Sequence, residues 1–146
     1  MKRIASILAI YVALAAFPAD AHHSHPFTYD QCKSVTLEGK VEKVEFKNPH
    51  SILIVKLDDG TDWTVDWAPT TTLRRTGVLD SAMTALAFGS RVVVTGNPIR
   101  TLAEIQEHFP SFNGPVNPNT VDPMAIRRAD NSFTWAPAGN LNCDRK

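Results

Sequence analysis

The sequence lacks an excess of charge of either sign, because 15 lysines and arginines are balanced by 15 aspartates and glutamates. A near-neutral chain has no strong electrostatic attraction for nucleic acid or for an anionic membrane surface, so we expect neither as a partner. Hydrophobic residues make up 43% and charged residues 21% of the chain, which is typical of a folded globular protein. The length of 146 residues fits one domain with short tails.

The sequence also lacks the short motifs that mark many catalytic sites. It contains no G-x-S-x-G, no H-E-x-x-H, no glycine-rich phosphate loop and no G-x-G-x-x-G. No spacing of cysteine and histidine matches a structural zinc site. No acid–base pair or activated nucleophile stands out, so enzyme activity is the weakest of the functional hypotheses.

A long hydrophobic run occurs only at the N-terminus. A short basic start precedes an almost wholly apolar stretch at residues 4–17, and residues 19–21 supply the small–x–small pattern that signal peptidase recognises. The stretch is shorter than the about 20 residues that a membrane span needs. We therefore predict that residues 1–21 are a signal peptide, cleaved before His22, and that the mature protein is periplasmic or secreted without a membrane span. The alternatives are an uncleaved N-terminal anchor and an earlier cut after Ala13-Leu14-Ala15.

Cysteine is scarce, with two residues in the whole chain. Cys32 and Cys143 lie near the two ends of the predicted mature protein and form no C-x-x-C pair. In an oxidising compartment an even pair of this kind predicts a disulfide bond rather than a redox-active site. Two free thiols are the alternative.

Alternating apolar and polar residues predict a first β-strand over residues 35–41. The apolar phase then shifts, because Val44 and Phe46 occupy even-numbered positions. A β-bulge near Glu42 and Lys43 would account for the shift and would bend the strand, as a tightly curved barrel requires.

The rest of the chain continues as short strands with one helical interruption. Strands are predicted at residues 51–57, 62–67 and 91–95, a helical turn at 70–75, and a final hairpin at 124–128 and 133–135. A second short helix is predicted with Asp80 or Ser81 as its cap, Leu79, Met83 and Leu86 on one face, and Gly89 at its end. The residues between 98 and 123 contain five of the ten prolines, which predicts an irregular loop with a helical turn at 102–108. Trp63 and Trp67, on one face of the third strand, are expected to dominate the core.

This order of elements predicts a mainly β protein, a small β-barrel of the oligonucleotide/oligosaccharide-binding (OB) type with a short helical insertion between strands three and four. The barrel domain is expected to cover residues 35–146, with a proline-rich loop at 98–123 and a histidine-containing segment at 22–34 before it. An unrelated small β-barrel or a β-sandwich is the competing interpretation.

Histidines are concentrated at the terminus that signal cleavage would create. His22, His23 and His25 fall within the first four residues of the predicted mature chain, and His50 follows the Asn48-Pro49 turn. The amine and Nδ1 of an N-terminal His22 could chelate one metal ion, an arrangement suited to Cu(II), and another imidazole could complete a nitrogen set. The leading hypothesis is therefore an exported small binding protein that holds copper or another transition metal through these histidines. A histidine-rich terminus without an evolved metal is the alternative.

A second functional hypothesis needs no metal. Trp67, Asp66 and Arg75 could bind a small ligand or an envelope protein partner at the barrel rim, together with His50. The competing interpretation of Asp66 and Arg75 is an ordinary solvated surface. The distance between His50 and residues 22–25 separates the two hypotheses.

The order of several short motifs resembles a bacterial family of exported small proteins of unknown function. The motifs are His22-His23-Ser24 after the signal peptide, Asn48-Pro49-His50, Trp63-x-Val65-Asp66, Leu73-x-Arg75-x-Gly77 and Val92-x-Val94-x-Gly96-x-Pro98. The resemblance covers residues 1–98. This chain differs by His25-Pro26-Phe27, where the family has an aromatic residue directly after His-His-Ser, by Asp66 where glutamate is common, and by its longer proline-rich segment. The resemblance implies export and a small β-barrel-like domain, and it implies no reaction.

Overall fold

A five-stranded β-barrel forms the body of the protein. The computed structural model describes residues 25–137 and Cys143. The strands are β1 (Val35–Glu45), β2 (Ser51–Leu57), β3 (Asp62–Trp67), β4 (Arg91–Pro98), β5 (Thr120–Arg128) and the short β6 (Thr134–Trp135). The helices are α1 (His25–Thr28), α2 (Thr70–Arg75), α3 (Leu79–Ala85) and α4 (Leu102–His108).

The barrel closes between strands that are distant in the chain. Hydrogen-bonded neighbours follow the order β3-β2-β1-β4-β5, and β5 then pairs with β3 in parallel, with Thr64 opposite Thr120 and Val65 opposite Val121. The pairs β1–β2, β1–β4, β2–β3 and β4–β5 are antiparallel. This closure confirms the predicted OB-like barrel, and it excludes a two-sheet sandwich because all five strands join one closed sheet.

The bulge predicted in the first strand is present. The register between β1 and β2 shifts between Val41 and Lys43. Gly39, just before the bulge, pairs with both β2 and β4. A Cβ atom there would lie 2.3 Å from the backbone oxygen of Lys56, so this close approach of two strands requires glycine.

Two short helices, α2 and α3, occupy the connection between β3 and β4, as predicted. Gly77 lies between them and has a φ of 73°, the left-handed conformation that commonly follows the end of a helix. Leu73 of α2 and Ala82 of α3 are fully buried and belong to the barrel core. The insertion therefore contributes to the core instead of projecting from it.

The proline-rich region is more regular than the predicted loop. Pro98 is the last residue of β4, and residues 120–123 belong to β5. The predicted helical turn is α4, which begins with a capping box in which Thr101 and Glu104 each bind the other's backbone N–H through their side chains. The longest irregular stretch is limited to residues 109–119.

Trp67 lies at the centre of the aromatic part of the core. Its side chain is 1% exposed, and its ring centroid lies 5.3 Å from that of Trp135 and 6.1 Å from that of Phe46. Trp63 is half-buried at the margin of the same core. Of the two tryptophans expected to dominate the core, Trp67 does so and Trp63 only borders it.

Cys32 and Cys143 form the predicted disulfide bond, with their Cα atoms 4.8 Å apart. The bond joins the segment before β1 to the segment after β6, across a sequence separation of 111. It therefore holds both ends of the folded domain together. Over residues 25–137, no helix combines the length and the apolar character that crossing a membrane demands.

Candidate functional site

Three side chains form a hydrogen-bonded group on the outer surface of the barrel. Nδ1 of His50 lies 2.6 Å from Oδ1 of Asp66, and the hydroxyl of Tyr29 donates to Oδ2 of the same carboxylate at 2.6 Å. One aspartate thus joins two side chains that lie 16 and 37 positions away in the chain. We refer to His50, Asp66 and Tyr29 as the His-Asp-Tyr cluster.

Strand alternation places Asp66 on the outside of the barrel. Its neighbours Val65 and Trp67 point into the core, so the side chain between them points outward. Asp66 lies opposite Ile52 in the β2–β3 register, and His50 comes just before β2. The imidazole and the carboxylate are therefore brought together by the pairing of β2 with β3.

The turn before His50 is tied to α2. The side-chain oxygen of Asn48 accepts hydrogen bonds from the backbone N–H and the hydroxyl of Thr71, at 3.3 and 3.2 Å. The peptide bond between Asn48 and Pro49 is cis. The two hydrogen bonds from Thr71 to Asn48 fix the chain immediately before His50, so the backbone position of the imidazole is defined.

Tyr29 reaches the cluster from the N-terminal segment. It forms an isolated β-bridge with Ile99, and its side chain is almost fully buried, 4% exposed. Burial, the charge and hydrogen bond of Asp66, and the charge of Asp122 all raise the pKa of Tyr29 far above its ordinary value. The phenol therefore stays protonated and acts as a hydrogen-bond donor to Asp66.

The cluster controls which nitrogen of His50 can bind a ligand. A carboxylate only accepts hydrogen bonds, so Nδ1 of His50 carries the proton and donates to Asp66. Coordination of a metal ion by this imidazole would therefore use its other nitrogen, Nε2. Histidines that bind metals are commonly oriented by a carboxylate in this way. The His50 side chain is 37% exposed, so a ligand can approach from solvent.

The N-terminal histidines are only partly covered by the structure. His22 and His23 lie outside the described residues, and His25 is the first residue of α1. This helix packs against the end of α4, where the Phe27 ring lies 5.0 Å from that of His108 and 5.4 Å, edge-to-face, from that of Phe109, the residue after α4. From α1 the chain leads directly to Tyr29, which places the residues after the histidines beside the cluster.

The described residues do not supply a complete metal site by themselves. Within residues 25–137 and Cys143, no three His, Cys, Asp or Glu side chains are grouped to hold a metal ion. A metal centre at His50 would therefore need ligands from beyond this part of the chain.

The three residues predicted to bind a ligand at the rim are not brought together. Asp66 belongs to the His-Asp-Tyr cluster, and Trp67 points into the core, where its buried Nε1 has no hydrogen-bond partner among the described residues. Arg75 is exposed at the end of α2 and borders a cavity instead.

That cavity has a volume of about 640 Å³ and lies between α2 and the β5–β6 hairpin. Its walls are mainly apolar, and Arg75 and Asp122 are the charged residues among those described that line it. The remaining described lining residues are Gln31, Ala68, Pro69, Thr72, Leu73, Thr76, Val78, Pro123, Trp135, Ala136 and Pro137.

Sequence reasoning identified His50 and Asp66 but missed Tyr29, Asp122 and Trp135. Tyr29 precedes the barrel in a segment without periodicity, and no local pattern connects it with a carboxylate 37 residues later. Trp135 was visible only as part of a hairpin. Their positions follow from barrel closure, which no short motif encodes.

A family of unknown function (DUF6152) has a model that matches residues 9–105. The match includes all three residues of the His-Asp-Tyr cluster and excludes β5 and β6. Neither a curated protein nor a solved structure matches the chain.

Proposed function

Since the chain belongs to the DUF6152 family, whose function is unknown, we propose that it is an exported protein that binds a transition-metal ion, most suitably Cu(II), through His50 and the histidines at its processed N-terminus. The observation that supports this most is the carboxylate on Nδ1 of His50, at 2.6 Å. A carboxylate on one imidazole nitrogen orients the ring, and metal-binding histidines commonly have such a partner on the nitrogen that does not coordinate the metal.

The buried phenol of Tyr29 strengthens this arrangement. The phenol donates to Oδ2 of Asp66 while Oδ1 contacts His50, and it adds no competing charge because it stays protonated. Asp122 contributes a second negative charge near the phenol. The negative charge of Asp66 next to the imidazole favours a bound cation over an anion.

The remaining ligands come from the N-terminal segment. His25 is four positions before Tyr29 and His23 is six positions before it. A fully extended chain spans at most about 3.6 Å per residue, so His23 stays within about 22 Å of Tyr29. Cleavage before His22 would give a free amine next to the His22 imidazole. Together with the imidazoles of His50 and the other N-terminal histidines, these groups provide at most five nitrogen donors, a set suited to tetragonal Cu(II).

The test is titration of Cu(II) and Zn(II) into protein isolated from the exported compartment, with its first residue established by intact mass. We expect the intact mass of a chain that begins at His22, and we expect this protein to bind one Cu(II) tightly. His22→Ala and His50→Ala should each weaken that binding strongly, and one extra residue before His22 should do the same because it removes the chelating amine.

Asp66→Asn tests the orienting role separately. The amide keeps the size of the side chain but loses its charge, so we expect Cu(II) affinity to fall by about 10- to 100-fold. His108→Ala is the matched histidine control, since His108 lies on α4 beside Phe27 and not in the cluster. Equal Cu(II) affinity in the parent protein, His22→Ala and His50→Ala would refute the proposal.

A further inference from the structure

We propose that the cavity between α2 and the β5–β6 hairpin is a second binding site, which takes a small organic monoanion with an apolar body and holds its anionic group on Arg75. The site is separate from the proposed metal site, because neither His50 nor Asp66 lines the cavity.

The size and lining of the cavity suit a small organic molecule. Its volume of about 640 Å³ lies within the range of about 300–1,000 Å³ that is typical of ligand pockets. Leu73, Val78, Pro123 and Trp135 provide apolar surface, and Trp135 adds an aromatic side chain to the lining. An apolar body would therefore be stabilised by burial against these walls.

The charge of the lining selects an anion. Arg75 is the cationic residue among the described lining residues, and no ion pair within the described part of the chain uses its guanidinium. A guanidinium presents two parallel N–H groups that match a carboxylate. Thr72 and Gln31 add a hydroxyl and an amide to the same lining.

Asp122 limits the ligand to one negative charge. It is the acidic residue among the described lining residues, and its negative charge also reaches Tyr29. A second anionic group on the ligand would be repelled by this carboxylate. A monoanion with its charge at Arg75 and its apolar part along Trp135 avoids that repulsion.

The experiment uses naphthoate as the anionic probe and the neutral naphthalenemethanol as its isostere. Binding is followed by calorimetry and by the indole N–H signals of the tryptophans in a two-dimensional NMR spectrum. We expect naphthoate to bind one site and to shift the Trp135 signal more than the Trp63 signal, because only Trp135 lines the cavity.

Arg75→Gln should weaken naphthoate binding by at least about tenfold, since it removes a charge-assisted hydrogen bond to the carboxylate. The same substitution should leave the weaker binding of naphthalenemethanol unchanged. Arg74→Gln is the matched control, because Arg74 is its neighbour on α2, is also exposed and does not line the cavity. It should leave naphthoate affinity unchanged.

Three results would overturn the proposal: an equal loss of naphthoate affinity in Arg74→Gln and Arg75→Gln, equal affinity for the anion and the neutral isostere, or an unmoved Trp135 signal at saturation. Failure of this proposal can be told apart from failure of the metal proposal. The naphthoate measurements are made without added metal, and naphthoate affinity should be the same in His50→Ala as in the parent protein.

Discussion

Replacing Tyr29 by phenylalanine removes a single hydroxyl from the His-Asp-Tyr cluster. The ring stays the same size, so packing in this nearly buried position is retained. What is lost is the hydrogen bond of 2.6 Å from the phenol to Oδ2 of Asp66. The variant therefore measures how much this one contact stabilises the fold and the cluster.

The expected loss follows from the charge and burial of the partners. Hydrogen bonds to charged groups contribute about 1.5–3 kcal/mol each. The Asp66 side chain is 19% exposed, so water can partly replace the phenol and the loss should lie in the lower half of that range. We expect Tyr29→Phe to lower the free energy of unfolding by about 1.5–2 kcal/mol near neutral pH, measured by urea denaturation.

The same contact predicts a specific dependence on pH. The folded state raises the pKa of Tyr29, whereas the unfolded chain ionises it near its ordinary value of about 10. The stability that the folded phenol contributes is therefore complete below about pH 10 and is lost as the pH rises above it. At about pH 11 the parent protein should lose about 1.4 kcal/mol relative to Tyr29→Phe.

The difference between the two proteins is the quantity to measure, because lysines and other groups titrate equally in both and cancel. Tyrosinate absorbance provides a second measurement, since the difference spectrum isolates Tyr29. We expect no tyrosinate signal from Tyr29 until the protein unfolds. A stability gap that is independent of pH up to about 11, or ionisation of Tyr29 near its ordinary pKa in the folded protein, would refute this account of the cluster.

Two further perturbations test the barrel and its closure. Gly39→Ala should destabilise the protein by about 1–3 kcal/mol or more in urea denaturation, because the added Cβ would meet the backbone oxygen of Lys56; an unchanged midpoint would contradict this close approach. Reduction of the Cys32–Cys143 bond should lower the melting temperature, since a loop of this length is worth up to about 4–5 kcal/mol in the chain-entropy model. The variant with both cysteines replaced by serine should have the melting temperature of the reduced protein, with or without reductant. Equal stability of the parent protein with and without reductant would show that the crosslink contributes nothing.

Much of the barrel was predictable because its signals are local. Alternation along residues 35–41 and the phase shift that marks the bulge each depend on neighbours in the chain. Local signals also located α2 and α3. The extent of β5 was underestimated because Pro118 and Pro123 suggested a loop, whereas Pro123 sits where the β4–β5 register shifts at Gly96 and a backbone N–H is dispensable.

The candidate site was predictable only in part. His50 and Asp66 could be named from residue type and from their positions near a turn and a strand end. Trp67 was named as a ligand-binding residue, but its position on the inward face of β3 places it in the core. The alternation of the strand already contained that information, since Trp67 shares a face with the buried Val65.

The amino-acid sequence by itself determined which segments become strands and helices, which faces are apolar, and that two cysteines at opposite ends can pair. It also concentrated three histidines just after a signal-like segment. Only the tertiary structure decided that Asp66 holds both His50 and Tyr29, and that Arg75 faces a cavity bordered by Trp135. The physical reason is range: periodicity and turn chemistry act over a few residues, whereas the parallel pairing of β3 with β5 joins residues more than fifty positions apart. The β2–β3 pairing and the bridge between Tyr29 and Ile99 assemble the His-Asp-Tyr cluster, and the barrel closure through β5 brings the β5–β6 hairpin to the cavity beside α2.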